Sequence, residues 1–220
     1  MKGIGYKQFI AEYISDLPCN VPIYSGDVAR KLANNFVIEL EQAKTLVNVN
    51  LPRLANTHDL VRYQKGIYYK AQNTTFGKTK LNPALINRDL YTRKGGEITG
   101  YETGASFLHQ IGLTTQIPKF RKYATNAFKQ YGCRVNKKRM VILQRPPAEI
   151  TADNYLYLQL LDAIANKDKI AFDTRQPEKI ILDYIQNKNL DFRKLVGYAG
   201  KYYNKKTQLR INEIVAVGIL

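Results

Sequence analysis

The order of helical and strand patterns at the start of this chain constrains its fold more than any other feature. Apolar side chains recur at helical spacing three times, and the third pattern runs over about residues 39–56. Two short strand patterns follow at 60–63 and 67–69, around Gln64-Lys65-Gly66, where Gly66 supplies the positive φ of a tight turn. Three helices and then a hairpin predict a winged helix-turn-helix over residues 1–70.

The third helical pattern has two faces of different chemistry. Ala43, Val47 and Leu51 group on an apolar side, whereas the opposite side carries short side chains with basic edges and no acid after Glu41. Such a face suits a recognition helix, because Asn can bond adenine, Arg can bond guanine or phosphate, and Thr can contact a thymine methyl. The alternative is a three-helix packing unit with no ligand. The predicted DNA contacts on this helix are Lys44, Thr45, Asn48, Arg53 and Asn56.

Pro52 and two basic residues of the hairpin also bear on DNA contact. Pro52 lies inside the third pattern and lacks an amide hydrogen, so the helix either bends there or ends and restarts. In the hairpin, Arg62 and Lys65 stand where a wing meets the sugar-phosphate backbone, and we predict that they contact phosphate. The alternative for these two side chains is a solvated hairpin whose charges have no partner.

The remainder of the chain predicts a second, mixed domain. Residues 71–80 are polar and poor in large apolar groups, which predicts a linker, with the second domain over 81–220. A helix is expected over 101–111, and short strands with basic loops over 117–145. Further helical patterns cover 155–165, 177–187 and 192–203. The predicted fold class is α+β and mainly helical: the winged helix-turn-helix is followed by a larger mixed domain with a small sheet and a C-terminal helical bundle.

Net charge is the strongest signal in the composition. The chain has 34 basic and 18 acidic side chains, which gives a formal net charge of +16. Residues 71–150 carry +10 of this surplus, and the segments on either side carry +3 each. Such a concentration attracts polyanions, whether nucleic acid, an acidic protein or an anionic membrane surface, and does not choose among them. The alternative is a solvated surface that keeps the protein in solution.

Several functional classes lack their characteristic residues. The sequence has no phosphate-binding glycine loop, nucleophile elbow or dinucleotide-binding fingerprint. Two unclustered histidines and two distant cysteines do not make a conventional zinc site. We therefore expect no enzymatic activity, cofactor or metal, and with no secretion signal or membrane-length apolar run we expect a cytoplasmic protein. The acids expected in helix caps and loops, with no pair placed for metal-dependent cleavage, are Asp153, Asp162, Asp168 and Asp173.

Two stretches of the sequence, 43–70 and 98–118, carry a family resemblance. The first runs from Ala43-Lys44-Thr45-Leu46-Val47-Asn48 to Tyr63-Gln64-Lys65-Gly66-Ile67-Tyr68-Tyr69-Lys70 and has the layout of a helix and wing. The second contains Ile98-Thr99-Gly100-Tyr101-Glu102-Thr103-Gly104-Ala105 and Gly112-Leu113-Thr114-Thr115-Gln116-Ile117-Pro118. Both are similar to the AbiEi-like antitoxins of type IV toxin–antitoxin systems, which act in abortive infection as a phage defence. The similarity extends loosely to the final helices.

The resemblance implies a function for each half of the chain. The N-terminal domain would bind inverted repeats in its own promoter and act as a transcriptional repressor of its operon. The C-terminal domain would supply antitoxicity against a nucleotidyltransferase-like toxin encoded next door, without a stable complex between the two proteins. Lys119, Arg121 and Lys122 cluster just after the second stretch, and they are the candidate residues for antitoxicity.

Two other functions stay open at this point. One is a winged-helix transcriptional regulator with no toxin partner, which a neighbouring nucleotidyltransferase gene would argue against. The other is an RNA-binding or RNA-acting protein, suggested by the basic middle of the chain and by 16 tyrosines available for stacking on bases. Most of those tyrosines are explained more simply as packing groups with a hydrated hydroxyl.

Overall fold

The computed structural model describes residues 5–57, 60–167, 170 and 172–219. The chain divides into two compact units, Met1–Ile86 and Asn87–Leu220, and its fold is α+β and mainly helical, as predicted. None of the helices in the described ranges is both long and apolar enough to cross a membrane.

The first unit is a winged helix-turn-helix extended by a second hairpin. Strands β1, β3 and β2 lie in that order in one antiparallel sheet, with β1 paired through Ile23–Tyr68 and Tyr24–Ile67. The sequence patterns did not predict β1, because two residues are too few to show an alternation. The elements are α1 (Tyr6–Asp16), β1 (Ile23–Tyr24), α2 (Ser25–Phe36), α3 (Leu40–Thr57), β2 (Leu60–Gln64), β3 (Ile67–Lys70), β4 (Asn73–Thr74) and β5 (Gly77–Lys78).

One apolar core holds the three helices and the sheet of this unit together. Each helix contributes the stripe that its sequence periodicity predicts, and burying one such Leu or Ile side chain stabilises the fold by about 1.5–3 kcal/mol. Because the stripe of α3 is used against α1, α2 and the sheet, its opposite face stays outside the core. The buried members of this core on the three helices are Ile10, Ile14, Val28, Ala29, Leu32, Ala43, Val47, Leu51 and Leu54.

The segment 71–80 lies within the first compact unit. The β4–β5 hairpin is fastened to it by the Tyr69 hydroxyl, which donates to the carbonyl oxygen of Thr79 at 3.3 Å. Leu81 and Ile86 are buried in a small cluster that also contains Tyr69. The first unit therefore extends to Ile86, and the residues predicted as a linker form an ordered part of it.

The second unit places a four-stranded sheet beside a set of helices. The strand order is β10-β11-β9-β8, in which β11 and β9 are parallel and the other neighbours are antiparallel. The elements are α4 (Pro83–Thr92), which begins in the first unit, β6 (Arg93–Lys94), β7 (Glu97–Ile98), β8 (Gly100–Thr103), α5 (Ala105–Gln110), β9 (Arg121–Thr125), β10 (Cys133–Asn136), β11 (Val141–Gln144), α6 (Tyr155–Ala165), α7 (Pro177–Asn187), α8 (Phe192–Tyr202) and α9 (Lys205–Ile219).

The helices α5 to α9 bury the main apolar core of this unit. The predicted helices over 155–165 and 177–187 match α6 and α7, and the pattern over 192–203 matches α8 within one residue. Helix α9 was not predicted. The largest fully buried side chains of this core include Leu108, Leu113, Leu160, Leu161, Ile164 and Ile185.

The prediction of one helix over 101–111 is wrong for its first residues. Gly100–Thr103 form strand β8, which pairs with β9, and α5 begins only at Ala105. Gly104 makes the change of direction with φ 66° and ψ −153°, a conformation that side chains larger than hydrogen rarely adopt. A Cβ on Gly100 would lie 2.0 Å from the carbonyl oxygen of Tyr91, so close packing also requires glycine there. Long-range pairing with β9 outweighs the local helical pattern.

Candidate nucleic-acid interface

Helix α3 separates a buried face from an exposed one, as its sequence predicts. Ala43, Val47 and Leu51 are completely buried in the core of the first unit. Thr45 and Asn48 are exposed on the other side, one helical turn apart. Arg53 is also exposed and lies further along the same helix. Asn56 lies within α3, but its side chain falls outside the described residues.

The first turn of α3 holds two of the predicted contact residues in place. The Lys44 ammonium lies 2.6 Å from the Glu41 carboxylate, and the Thr45 hydroxyl donates to the Glu41 carbonyl oxygen at 3.0 Å. The Glu41 side chain is 84% exposed, so this ion pair contributes little to stability. Lys44 can therefore exchange Glu41 for a phosphate at small cost, while Thr45 keeps a fixed orientation through its bond along the helix.

Pro52 does not interrupt α3. The helix is continuous from Leu40 to Thr57, although Pro52 cannot donate to the carbonyl oxygen of Asn48. The buried Asn50 side chain donates to the Leu46 carbonyl oxygen at 2.8 Å and so makes its hydrogen bond inside the helix itself. Of the two outcomes that the sequence left open, ending and restarting is excluded. All the candidate contacts of this region consequently stand on one helix.

The β2–β3 hairpin forms a short wing. Its last strand pair is Gln64–Ile67, so only Lys65 and Gly66 form the turn, and Gly66 has a φ of 76°. The Ser25 amide at the start of α2 donates to the Gly66 carbonyl oxygen at 2.9 Å, which fixes the turn against that helix. Arg62 and Lys65 are both exposed, as the prediction of phosphate contacts requires. The turn therefore brings its charge close to the helical body.

The three candidate residues for antitoxicity do not form one patch. Lys119 is exposed ahead of β9, whereas Arg121 and Lys122 are successive residues of β9 and so face opposite sides of the sheet. The Arg121 guanidinium lies 3.4 Å from both carboxylate oxygens of Glu102. Lys122 is half-buried, and its backbone amide donates to the Ser106 hydroxyl at 3.4 Å.

The second family-like stretch is held by a carboxylate from a distant part of the chain. The Asp173 Oδ2 atom accepts from both hydroxyls of Thr114 and Thr115 and from the Thr115 amide, each at 2.9 Å. These bonds, with the backbone bond first, hold the pKa of Asp173 below its ordinary value. The Thr114-Thr115 pair therefore has a structural role in shaping the loop that precedes β9.

A second basic surface lies on the β10–β11 hairpin. The sequence predicts the excess of positive charge over residues 71–150 but not which of its residues form a surface. No Asp or Glu occurs between Glu102 and Glu149, and this absence was the signal available in the sequence. On the structure, the Tyr131 ring is 92% exposed and the Arg145 guanidinium lies 5.1 Å from its centroid. The other exposed cations of the hairpin and its approach are Lys129, Arg134, Lys137 and Lys138.

Asp162 is a buried carboxylate at the centre of the second unit. It lies inside α6, so the expectation that it occupies a cap or loop is wrong. It accepts from the Tyr203 hydroxyl at 2.8 Å and from the Tyr101 hydroxyl and the Gln144 amide at 3.0 Å. Burial raises the pKa of Asp162, and the hydrogen bonds from Tyr203 and Tyr101 oppose that rise. With every donor supplied by the protein, this carboxylate joins the sheet to the helices.

Comparison with known proteins gives a family without a known activity. No curated protein matches the chain. Residues 30–190 match a family described as "Family of unknown function (DUF6088)". The match begins within α2, takes in α3 and the β2–β3 hairpin, and continues through the four-stranded sheet to the end of α7. Because it covers well over half of the 220 residues, this protein belongs to the DUF6088 family.

Proposed function

We propose that this protein binds duplex DNA through α3 and the β2–β3 hairpin, and that it represses its own operon as the antitoxin of an AbiE-type toxin–antitoxin pair. The observation that carries the proposal is the exposed face of α3, where Thr45 and Asn48 stand on a helix whose other face is fully buried. A helix in that position of a winged helix-turn-helix can enter the major groove.

The chemistry of the surrounding residues supports duplex DNA as the partner. Asn48 offers the side chain that pairs bidentately with adenine, and Arg53 offers one that bonds guanine or phosphate. Arg62 and Lys65 are exposed on the short wing, and phosphate contacts there would set the register of the helix without reading bases. The net charge of +16 favours the encounter of the whole chain with a polyanion.

The antitoxin part of the proposal has a different support. It rests on the similarity of residues 98–118 to the AbiEi-like antitoxins, together with the cations that follow. In this proposal the second unit neutralises a nucleotidyltransferase-like toxin in the cytoplasm without a stable complex. Arg121 and Lys119, which are exposed, are better candidates for that role than Lys122, which is half-buried.

The DNA-binding proposal is tested by fluorescence anisotropy with the operon's own promoter and a scrambled duplex over a series of salt concentrations. We expect Asn48→Ala to reduce the preference for promoter by about tenfold, since a base-edge contact is worth about 1–3 kcal/mol, without changing the salt dependence. Arg53→Ala should weaken promoter binding, whereas Lys7→Ala, which removes an exposed cation of α1, should not. Equal binding of promoter and scrambled DNA by the native protein would refute the proposal.

The antitoxin proposal is tested by growth. The protein is co-expressed with a nucleotidyltransferase-like toxin encoded beside it, and rescue is compared between the native chain and Lys119→Ala/Arg121→Ala. We expect rescue by the native chain and reduced rescue by the double variant with promoter binding intact. If the native chain binds its promoter but never rescues growth, the protein is a transcriptional regulator with no toxin partner.

A second candidate function is RNA binding by the β10–β11 hairpin. The exposed Tyr131 ring, with the Arg145 guanidinium against it, is a combination that stacks on unpaired bases. If RNA is the partner, single-stranded RNA binds more tightly than duplex DNA, and Tyr131→Ala weakens RNA binding more than Asn48→Ala does. The opposite ranking favours the DNA-binding proposal.

A further inference from the structure

A polar cleft in the second unit is not accounted for by DNA binding. Its volume is about 460 Å³, which lies in the range of small-molecule sites. Its walls come from α4, β6, β8, β9 and α6 and from the end of α5, so distant parts of the chain meet there. The lining side chains used below are Arg88, Arg93, Glu102 and Arg121, with Tyr155 and Gln110 beside them.

Three guanidinium groups from three different elements line this cleft. Arg88 belongs to α4, Arg93 to β6 and Arg121 to β9. The Arg88 Nε atom is 3.7 Å from Asp89, and the nearest approach of Arg121 to Glu102 is 3.4 Å. Charge-assisted hydrogen bonds are normally about 2.7–2.9 Å long, and a guanidinium has five N–H donors. These two contacts therefore leave Arg88 and Arg121 with donors available to an anion.

The inner side of the cleft holds a fixed carboxylate. The Glu102 side chain is only 6% exposed, and it accepts from the Gln110 side-chain amide at 2.8 Å. The Gln159 side-chain amide donates to the Glu102 backbone carbonyl at 2.8 Å, which fixes this part of β8. A carboxylate held in this way can accept a further hydrogen bond from a hydroxyl or amino group.

A buried hydroxyl lies against the same residues. Tyr123 is fully buried, and it is two residues from Arg121 in β9, so the two side chains lie on the same face of the strand. Burial raises the pKa of Tyr123, and the Glu102 carboxylate raises it further. The Arg121 guanidinium opposes the rise through its charge and a hydrogen bond, and the charge of Arg88 opposes it as well. The Tyr123 hydroxyl therefore helps to hold Arg121 at the edge of the cleft.

We propose that this cleft binds a small phosphorylated molecule of nucleotide size. Arg88, Arg93 and Arg121 bind the phosphoryl group, whose several oxygens match guanidinium forks, and Glu102 accepts a hydrogen bond from a hydroxyl or amino group of the same molecule. Asp89 and Glu102 also line the cleft, at 3.7 Å from Arg88 and 3.4 Å from Arg121. Each guanidinium has five N–H donors, so donors remain for the several oxygens of a phosphoryl group. The inference does not depend on the proposed DNA binding, because every residue it uses belongs to the second unit. It shares only Arg121 with the proposed antitoxin role, and its test therefore uses Arg88 and Arg93.

The test is isothermal titration of the full chain with 5′-AMP, ribose 5-phosphate, inorganic phosphate, adenosine and a 5′-phosphorylated oligonucleotide. We expect 5′-AMP and ribose 5-phosphate to bind more tightly than inorganic phosphate, and adenosine not to bind. Arg88→Gln/Arg93→Gln should weaken the binding of the phosphorylated probes at least tenfold. The matched control is Lys94→Gln, which removes an exposed cation next to Arg93 in β6 and does not line the cleft.

The role of the carboxylate has its own readout. Glu102→Gln should weaken ribose 5-phosphate more than inorganic phosphate, because only ribose 5-phosphate has sugar hydroxyls that can donate to Glu102 while its phosphoryl group is bound by the arginines. If that variant fails to fold, the exposed arginine variants still decide the outcome. The inference is overturned if no phosphorylated probe binds, if adenosine binds as well as 5′-AMP, or if Arg88→Gln/Arg93→Gln and Lys94→Gln behave alike. It is also overturned if only a 5′-phosphorylated oligonucleotide binds in an arginine-dependent way.

Discussion

The exposed face of α3 and the cleft beside β8 both present cations to solvent, but they differ in what lies beneath them. Under Thr45 and Asn48 the helix rests on Val47 and Leu51, which are apolar and completely buried. Under Arg121 lies Glu102, a buried carboxylate. A surface supported by apolar packing can change its exposed residues one at a time. A surface supported by buried polar groups cannot change in this way, because replacing one group leaves its hydrogen-bond partners unsatisfied.

The strongest test of this comparison is the apolar support of α3. Leu51→Ala should destabilise the first unit by about 2–5 kcal/mol, because it leaves a cavity in a close-packed core. Hydrogen exchange of peptides from each unit during urea titration would locate the loss. Val49→Ala, at an exposed position of the same helix, is the control. Similar losses for both variants would show that α3 is not anchored by its apolar face.

The corresponding test in the second unit concerns its buried carboxylate. Asp162→Asn keeps the shape but removes the charge and turns one acceptor oxygen into a donor. The Tyr203 hydroxyl can then donate to the Leu158 carbonyl oxygen, which lies 3.0 Å away, whereas the Tyr101 hydroxyl and the Gln144 amide keep a neutral acceptor. We expect a loss of about 1–2 kcal/mol, because hydrogen bonds to a charged group contribute more than those to a neutral one. Asp153→Asn, which changes an exposed acid just before α6, should cost less than about 0.5 kcal/mol. If Asp162→Asn and Asp153→Asn cost the same, the second unit does not depend on the hydrogen bonds of its buried carboxylate, and the contrast with the apolar support of α3 is lost.

The stability of the native chain relative to Asp162→Asn should also depend on pH, and the sign of that dependence follows from the pKa of Asp162. Burial raises the folded-state pKa of Asp162 above its unfolded value, so the folded chain binds the proton more tightly. The contribution of Asp162 is then fully present below the unfolded pKa and is lost as pH rises through the folded pKa. The free energy of unfolding of the native chain, relative to Asp162→Asn, should therefore fall from about pH 4 upwards. A difference that grows with pH would contradict this assignment.

The smallest expected effect belongs to the exposed face of α3. Asn48→Ala should change the free energy of unfolding by less than about 0.5 kcal/mol, because its side chain is exposed on the helix. Thermal unfolding in the absence of DNA measures this. A much larger loss would mean that Asn48 supports the fold, and its effect on DNA binding could then not be read as a lost base contact.

The sequence predicted the elements whose signal is local. The patterns over 155–165 and 177–187 coincide with α6 and α7, because an amphipathic stripe with a clear start and stop is contained in the helix itself. The local pattern at Tyr101 predicts the start of a helix, whereas the structure has strand β8 there, because β8 is defined by pairing with β9 about twenty residues away. The two-residue strand β1 carries no periodicity at all, although it completes the winged helix-turn-helix.

The candidate sites divide in the same way. The exposed positions of Thr45, Asn48, Arg62 and Lys65 could be predicted, because each follows from its place in a helix or hairpin. The separation of Arg121 from Lys122 required knowing that β9 is a strand. The cleft, with arginines from α4, β6 and β9 around Glu102, had no signal that a single sequence could give.

By itself the sequence determined the fold class, the winged helix-turn-helix and the position of most helices, because hydrophobic periodicity is a property of neighbouring residues. Only the tertiary structure decided where the first unit ends, at Ile86, and which polar groups are buried together. Tyr101, Gln144, Asp162 and Tyr203 are far apart in the chain, and each looks like an ordinary polar residue in its own segment. Their hydrogen bonds exist because the fold brings them together away from water, where each donor requires an acceptor.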